Sequence, residues 1–104
     1  MPVIGFLSTS PVIEDSMVEE VARAVEALDD HDVQYEVGPM GTTIEAPDTA
    51  TLFDAARAAH DSIESDRVST VLKIDDERTD GRGAEAKVEA VAEQLGRPAV
   101  SSDD

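Results

Sequence analysis

The sequence predicts an α+β fold built around one sheet, and three observations point to this class. Four short segments have the apolar or alternating patterns typical of β-strands. Longer segments between them carry apolar residues at helical spacing, and two of the strand segments are joined by a tight turn. The order β-α-β-β-α-β, followed by a third helix, is the split βαβ or ferredoxin-like arrangement. Right-handed crossovers would place two helices on one face of a four-stranded antiparallel sheet and leave the other face open.

The first strand and the first helix are predicted within residues 3–28. Residues 3–7 (VIGFL) form a short apolar run, typical of a strand inside a sheet, and residues 8–11 (STSP) are expected to end it. A helix is predicted over residues 15–28, where Ser16 and Glu19 form a capping-box pattern. Its apolar face is predicted from residues at helical spacing: Val18, Val21, Ala22, Val25 and Leu28.

A hairpin is predicted over residues 33–46. Residues 33–37 (VQYEV) alternate apolar and polar side chains, which predicts a strand with one buried face. Residues 38–41 (GPMG) supply the turn, and residues 42–46 (TTIEA) resume an extended pattern. The two strands are therefore expected to be antiparallel neighbours.

The second half of the chain predicts a helix, a strand and a final helix. Asp48 is the expected N-cap of the first of these helices. Its apolar stripe is predicted from Leu52, Phe53, Ala56, Ala59 and Ile63. Residues 67–75 alternate as a strand, residues 76–83 form a polar loop, and residues 84–95 form the last helix. Four apolar side chains of that helix are expected to face the core: Val88, Val91, Ala92 and Leu95. Residues 1–97 are predicted to form a single domain, followed by an acidic tail over residues 98–104.

The composition excludes several classes of partner. Asp and Glu number 24 against 8 Lys and Arg, which gives a formal net charge of −16 and repels a nucleic-acid backbone. Acidic residues are spread along the whole chain, a pattern typical of a halophilic source, where salt screens the self-repulsion. The chain has no cysteine and no apolar segment long enough to span a membrane. A cytoplasmic protein with no membrane partner is expected.

No motif for catalysis or metal binding stands out. His31 and His60 lie in different predicted elements without a metal-binding spacing, so no metal site is expected. No serine or lysine lies in a known nucleophile motif, so no catalytic residue is assigned. The glycines around Arg82 precede a helix and could hold a phosphate, but a plain surface loop is the preferred interpretation because the full phosphate-loop pattern is missing.

The hairpin is the segment with the most distinctive chemistry. Gly38 and Gly41 bracket Pro-Met, and two threonines follow at the sheet edge. From the residues alone, an ordinary hairpin turn is still the preferred interpretation. The alternation also predicts a mixed polar open face that could meet a subunit or a small ligand, formed by Gln34, Glu36, Thr43, Glu45, Ser69, Val71 and Lys73.

At these residues the sequence resembles a known family, the small thiamine-binding proteins of the MTH1187 and YkoF type. Residues 35–45 (YEVGPMGTTIE) are similar to the family's core motif. The likeness extends to Ala59-His60, to residues 71–78 (VLKIDDER) and to Lys87-Val88 with the helix that follows, so it covers nearly the whole chain.

The resemblance implies a ferredoxin-like homodimer or homotetramer that binds thiamine, or its hydroxymethylpyrimidine portion, without catalysis and without a required cofactor. An aminopyrimidine offers donor and acceptor edges that hydroxyl, carboxylate and backbone groups can match. The expected ligand-binding residues are Met40, Gly41, Thr42, Thr43, Glu45 and Lys73. The alternative is an oligomeric scaffold or regulatory protein whose open face only mediates subunit contacts.

Overall fold

The computed structural model describes residues 2–79 and 83–101. Within these residues the elements follow the predicted order. Their bounds are β1 Val3–Pro11, α1 Val18–Leu28, β2 Gln34–Val37, β3 Thr42–Ala46, α2 Thr49–Asp61, β4 Val68–Asp75 and α3 Ala84–Leu95. The strands form one antiparallel sheet in the order β2-β3-β1-β4. The predicted ferredoxin-like α+β fold is confirmed.

Strand β1 is four residues longer than predicted. The segment 8–11, expected to end the strand, stays in register with β4 from Ser8↔Val71 to Pro11↔Val68. These residues become a strand through pairing, because β4 supplies a ladder partner for each of them. Proline is tolerated at Pro11 because β3 no longer pairs with β1 there, which makes this part of β1 an edge strand. Pairing between β1 and β3 ends earlier, at Leu7↔Thr42. The last part of β1 therefore extends beyond β3.

The alternation of the strands sorts their side chains onto two faces, which we name the helix face and the open face. Leu7 and Ile44 are buried on the helix face, against which α1 and α2 pack. The predicted outward residues share the open face, as the register Gln34↔Glu45 and the alternation of β4 show. The core on the helix face consists of Val3, Leu7, Ala24, Leu28, Ile44, Ala46, Leu52, Ala55, Ala56, Ala59 and Ile63.

The apolar stripes of α1 and α2 each differ from the prediction. In α1, Ala24 is buried and Ala22 is exposed. In α2, Ala55 is buried, whereas Phe53 is 54% exposed. Successive residues of a helix are rotated by about 100° around its axis. Where several neighbouring residues are apolar, the sequence therefore does not determine which of them lie at the centre of the buried stripe.

The two main helices start differently. Helix α2 begins as predicted, because Asp48 accepts a hydrogen bond from the Thr51 backbone N–H at 2.7 Å. This bond lowers the pKa of Asp48. Helix α1 begins three residues later than predicted, after Met17, which makes no side-chain capping bond. The predicted capping box is wrong, because the N-cap is Met17 and not Ser16. The Ser16 hydroxyl accepts only a long hydrogen bond of 3.5 Å from the Val18 N–H, and Glu19 lies in the first turn of the helix.

Strand β2 lies at the edge of the sheet. The prediction of a buried face was wrong for this strand, since all four of its residues are exposed, including Val37 at 55%. The helices cover the centre of the sheet, and only the preceding Val33 packs partly against the core. The Tyr35 hydroxyl donates to Asp29 Oδ1 at 2.7 Å, and this hydrogen bond raises the pKa of Tyr35. The bond ties the edge strand to the end of α1.

Helix α3 has the predicted bounds but not the predicted burial. Val88, Val91 and Leu95 were expected to face inward, yet they are 55%, 53% and 49% exposed. Ala92 is only half-buried. The apolar spacing correctly indicates an amphipathic helix, but no described part of the chain covers its apolar stripe. We name Val88, Val91 and Leu95 the α3 stripe.

Some predictions fall outside the described residues. The loop around Arg82 and the end of the acidic tail include residues 80–82 and 102–104, which lie outside the described ranges. The division into a domain and a tail stays a prediction. Among the described helices, none is long and apolar enough to cross a membrane.

Candidate functional site

The residues predicted to bind a ligand lie on both faces of the sheet. Thr42 is on the helix face and only 7% exposed, whereas its neighbour Thr43 points to the open face with Glu45. Lys73 also lies on the open face, on the far side of β1. Met40 and Gly41 belong to the turn between β2 and β3. The structure therefore brings Met40, Gly41 and Thr42 together, and separates them from Thr43, Glu45 and Lys73.

A cavity of about 200 Å³ lies on the helix face, between α1, the second half of β1 and the turn of the hairpin. We name it the helix-face cavity. One wall is apolar and comes from α1, with Val21, Ala24 and Val25. Ala24 and Leu7 also belong to the core, so this wall is held by the packing of the domain. The turn residues Gly38, Pro39, Met40 and Gly41 form the opposite wall with Thr42.

The polar wall of the cavity comes from Ser8, Thr9 and Ser10 of β1. They reach the cavity because β1 continues along β4 after its pairing with β3 has ended at Leu7. The Thr9 side chain lies on the helix face, whereas Ser8 and Ser10 pair with Val71 and Ser69 of the open face and border the cavity with their backbone. The Thr9 hydroxyl and the β1 backbone edge that β3 no longer pairs can donate and accept hydrogen bonds there. These residues were not among the expected ligand-binding residues, because residues 8–11 were expected to end the strand. The sequence does contain a signal for them, because three hydroxyl residues directly follow the apolar run of residues 3–7.

The turn is held close to β1 by its glycines. The Gly38 N–H donates to the Gly41 carbonyl at 2.8 Å, which closes the turn. Gly41 packs so tightly that a β-carbon there would lie 2.6 Å from Phe6 Cζ and 2.8 Å from the Leu7 carbonyl oxygen. Only glycine permits this approach of the two backbones. Met40, at the tip of the turn, is 80% exposed and borders the cavity mouth.

A second, wider depression of about 570 Å³ lies on the open face beside α3. Glu36, Glu45 and Glu85 line it together with Lys87. Glu45 Oε1 packs so closely against Gly83, at the start of α3, that no β-carbon would fit between them. Its carboxylate therefore meets the beginning of a helix, where negative charge is favourable. We name this depression the open-face groove.

Helix α3 is also attached to the sheet by an ion pair. Lys87 Nζ donates to Asp75 Oδ2 at 2.7 Å, and this hydrogen bond, together with the charge of Lys87, lowers the pKa of Asp75. Lys73, at the neighbouring outward position of β4, instead lines a separate shallow depression with Phe6 and Thr43. The open face is thus polar and charged near α3, with apolar residues further along the sheet.

The two sites differ in the chemistry they offer. The side chains that line the helix-face cavity are apolar or carry hydroxyls, and none of those described is ionisable. Such a lining suits hydrogen bonding to a small neutral ring, but offers no general acid or base. Over residues 2–79 and 83–101, no cluster of three or more His, Cys, Asp or Glu residues could hold a metal ion.

Comparison with known proteins places these features in context. The family model described as thiamine-binding protein matches residues 6–92. A UPF0045 protein of Methanothermobacter thermautotrophicus is 48% identical over 83 residues, which cover 77% of this chain and 84% of the relative. The family-model match runs from β1 into α3. It includes all residues that line the helix-face cavity and all but Ile4 of those that line the open-face groove.

Solved structures share the fold. The crystal structure of the hypothetical protein MJ1052 of Methanocaldococcus jannaschii superposes with a TM-score of 0.82 at 29% identity, over 88% of this chain and 97% of that one. A Thermotoga maritima protein assigned to thiamine biosynthesis or salvage has a TM-score of 0.71 at 28% identity, over 88% of this chain and 99% of that one.

Proposed function

The chain belongs to the thiamine-binding protein family, and we propose that it binds thiamine without catalysis, holding the aminopyrimidine ring in the helix-face cavity. Membership of the family gives the chain a thiamine-related role, and the size and lining of the cavity support the proposed position of the ring. One observation carries the proposal. In a single small cavity supported by core residues, an apolar wall from α1 lies near a β1 edge that carries a hydroxyl group.

The shape and lining of the cavity support a single flat ring. Ligand pockets for drug-sized molecules usually measure about 300–1,000 Å³. A volume of about 200 Å³ is smaller, and suits one substituted ring better than the whole of thiamine. Val21 and Val25 can cover the ring face, while the Thr9 hydroxyl and the backbone of Ser8 and Ser10 meet its polar edge. Met17 and Met40, which also line the cavity, can adapt to the remainder of the ligand.

The charge of the chain favours the same ligand. The thiazolium ring of thiamine is cationic, and the protein carries a formal net charge of −16. Glu19 and Glu20 stand in the first turn of α1, next to Met17 at the cavity. Such a field attracts a cation and repels nucleic acid. We place the protein in the cytoplasm and attribute its overall acidity to a saline environment, with thiamine binding as a separate property.

A second role is proposed for the open face, as a contact between copies of the chain. The α3 stripe leaves three apolar side chains exposed, and Phe6 and Val71 add exposed apolar surface to the sheet. Exposed apolar groups of this kind favour association. The proposed assembly is a homodimer or homotetramer, in which Thr43, Glu45 and Lys73 face a neighbouring subunit.

Calorimetric titration at high salt tests the proposed ligand. We expect thiamine and free hydroxymethylpyrimidine to bind with the same stoichiometry, because both carry the ring that the cavity accepts. The isolated hydroxyethylthiazole half is the matched control, and it is expected to give no binding heat. Absence of both binding heat and thermal stabilisation with thiamine and with the pyrimidine would contradict the proposal and favour a scaffold role.

A further inference from the structure

Three side chains form a hydrogen-bonded chain that ends at the helix-face cavity. Thr9 of β1 and Thr70 of β4 are directly opposite in the sheet, and their Oγ1 atoms lie 2.6 Å apart. The Nδ1 atom of His60, on α2, lies 2.5 Å from the Thr70 hydroxyl. All three residues are partly buried. Thr9 also lines the cavity, so these hydrogen bonds connect a histidine on α2 with a hydroxyl residue of the cavity wall.

The number of protons shared by these three side chains links the protonation of His60 Nδ1 to the hydrogen-bonding role of Thr9. The Thr70 hydroxyl has one proton, and therefore donates to only one of its two neighbours. If Thr70 donates to His60 Nδ1, it accepts from Thr9, and the only hydroxyl proton of Thr9 is used. Thr9 then presents just lone pairs to the cavity. If His60 Nδ1 carries a proton instead, it donates to Thr70, and Thr9 becomes free to donate to a ligand.

We infer that His60, acting through Thr70, holds Thr9 as a hydrogen-bond acceptor, so that the cavity selects a ring with an amino group at that edge. The inference rests on the proposed function and identifies the specificity determinant of its site. His60 and Thr70 are positioning residues, since they act on the ligand only through Thr9. The arrangement requires the tautomer of neutral His60 that keeps its proton on Nε2.

NMR of the His60 imidazole tests, without any ligand, whether the hydrogen bonds are donated from Thr9 through Thr70 to His60. The ¹⁵N shifts of the imidazole ring, recorded at a pH of about 9, distinguish a protonated ring nitrogen from an unprotonated one. We expect His60 Nδ1 to show the shift of an unprotonated acceptor nitrogen. A protonated Nδ1 in the wild-type protein would mean that His60 donates to Thr70, which would overturn the inference.

Ligand selectivity at the same pH tests the consequence. The measured quantity is the affinity for 4-amino-5-hydroxymethyl-2-methylpyrimidine divided by the affinity for its 4-oxo analogue. We expect the wild-type protein to prefer the amino compound. His60→Phe and Thr70→Val should each lower that preference about three- to tenfold, the value of one hydrogen bond. Either substitution frees the Thr9 proton, so the double variant should match the single ones.

Two comparisons separate the possible outcomes. His31→Phe is the matched control, because His31 Nδ1 lies by the Ala27 carbonyl at the end of α1, outside the hydrogen-bonded chain. It should leave selectivity unchanged. If the wild-type protein binds and its preference survives both His60→Phe and Thr70→Val, the inference fails alone. If the wild-type protein binds neither pyrimidine, the proposed function fails and the inference with it.

Discussion

The substitution Ala24→Leu is expected to abolish most thiamine binding while leaving the domain folded. Ala24 is 3% exposed and lies on the α1 wall of the helix-face cavity. A leucine there would occupy space that the pyrimidine ring needs. Loss of most of the buried ring surface corresponds to an affinity about a hundredfold lower. Stability should change little, because the larger side chain fills a cavity of about 200 Å³.

The control for this variant is an alanine two residues earlier on the same helix. Ala22 is exposed, so Ala22→Leu makes the same chemical change on the solvent side of α1. We expect wild-type affinity from Ala22→Leu in the same calorimetric titration. A folded Ala24→Leu variant that binds thiamine as tightly as the wild-type protein would move the ligand out of this cavity.

The substitution Gly41→Ala is expected to weaken both the fold and ligand binding. The added carbon would lie 2.8 Å from the Leu7 carbonyl oxygen and 2.6 Å from Phe6 Cζ, so the turn must move away from β1. Overpacking of this kind typically costs about 1–3 kcal/mol of unfolding free energy. Because the turn forms one wall of the cavity, we also expect thiamine affinity to fall about tenfold or more.

The other glycine of the turn provides the comparison. A β-carbon on Gly38 would lie 3.2 Å from the Gly41 carbonyl oxygen, a close but far less severe contact. Denaturant unfolding and thiamine titration of Gly38→Ala should therefore give smaller losses than those of Gly41→Ala. Equal losses in the two variants would indicate that the approach of Gly41 to β1 has no special importance.

The order of the elements was predictable because each has a strong local pattern. Helical spacing marks α2, and the alternation of Val68, Leu72 and Ile74 marks β4. The full length of β1 was not predictable in the same way, since residues 8–11 become a strand through pairing with β4. Local composition cannot report a partner that lies about 60 residues further along the chain.

Burial was harder to predict than secondary structure. The α3 stripe and Phe53 have the spacing of buried residues, yet both are exposed. An apolar helix face shows that something can cover it, but not that the same chain does. If the proposed contact between copies is correct, the α3 stripe is covered only in the assembly.

The candidate site was only partly predictable. The hairpin motif predicted Met40, Gly41 and Thr42, and the structure places all three along the helix-face cavity. Thr43 and Glu45 were grouped with them because they belong to the same motif and offer hydrogen-bonding groups. Strand alternation, however, sends neighbouring side chains to opposite faces. Thr9 was missed because its position depends on where the pairing of β1 with β3 ends.

The most direct test of ligand binding in the helix-face cavity is the location of the bound pyrimidine by NMR. Intermolecular NOEs between the 2-methyl group of isotope-labelled thiamine and the protein methyl groups distinguish the two faces. The proposed site predicts NOEs to Val21 and Val25, which line the helix-face cavity. NOEs to Val88 and Thr43 would contradict it, since these residues line the open-face groove on the other side of the sheet.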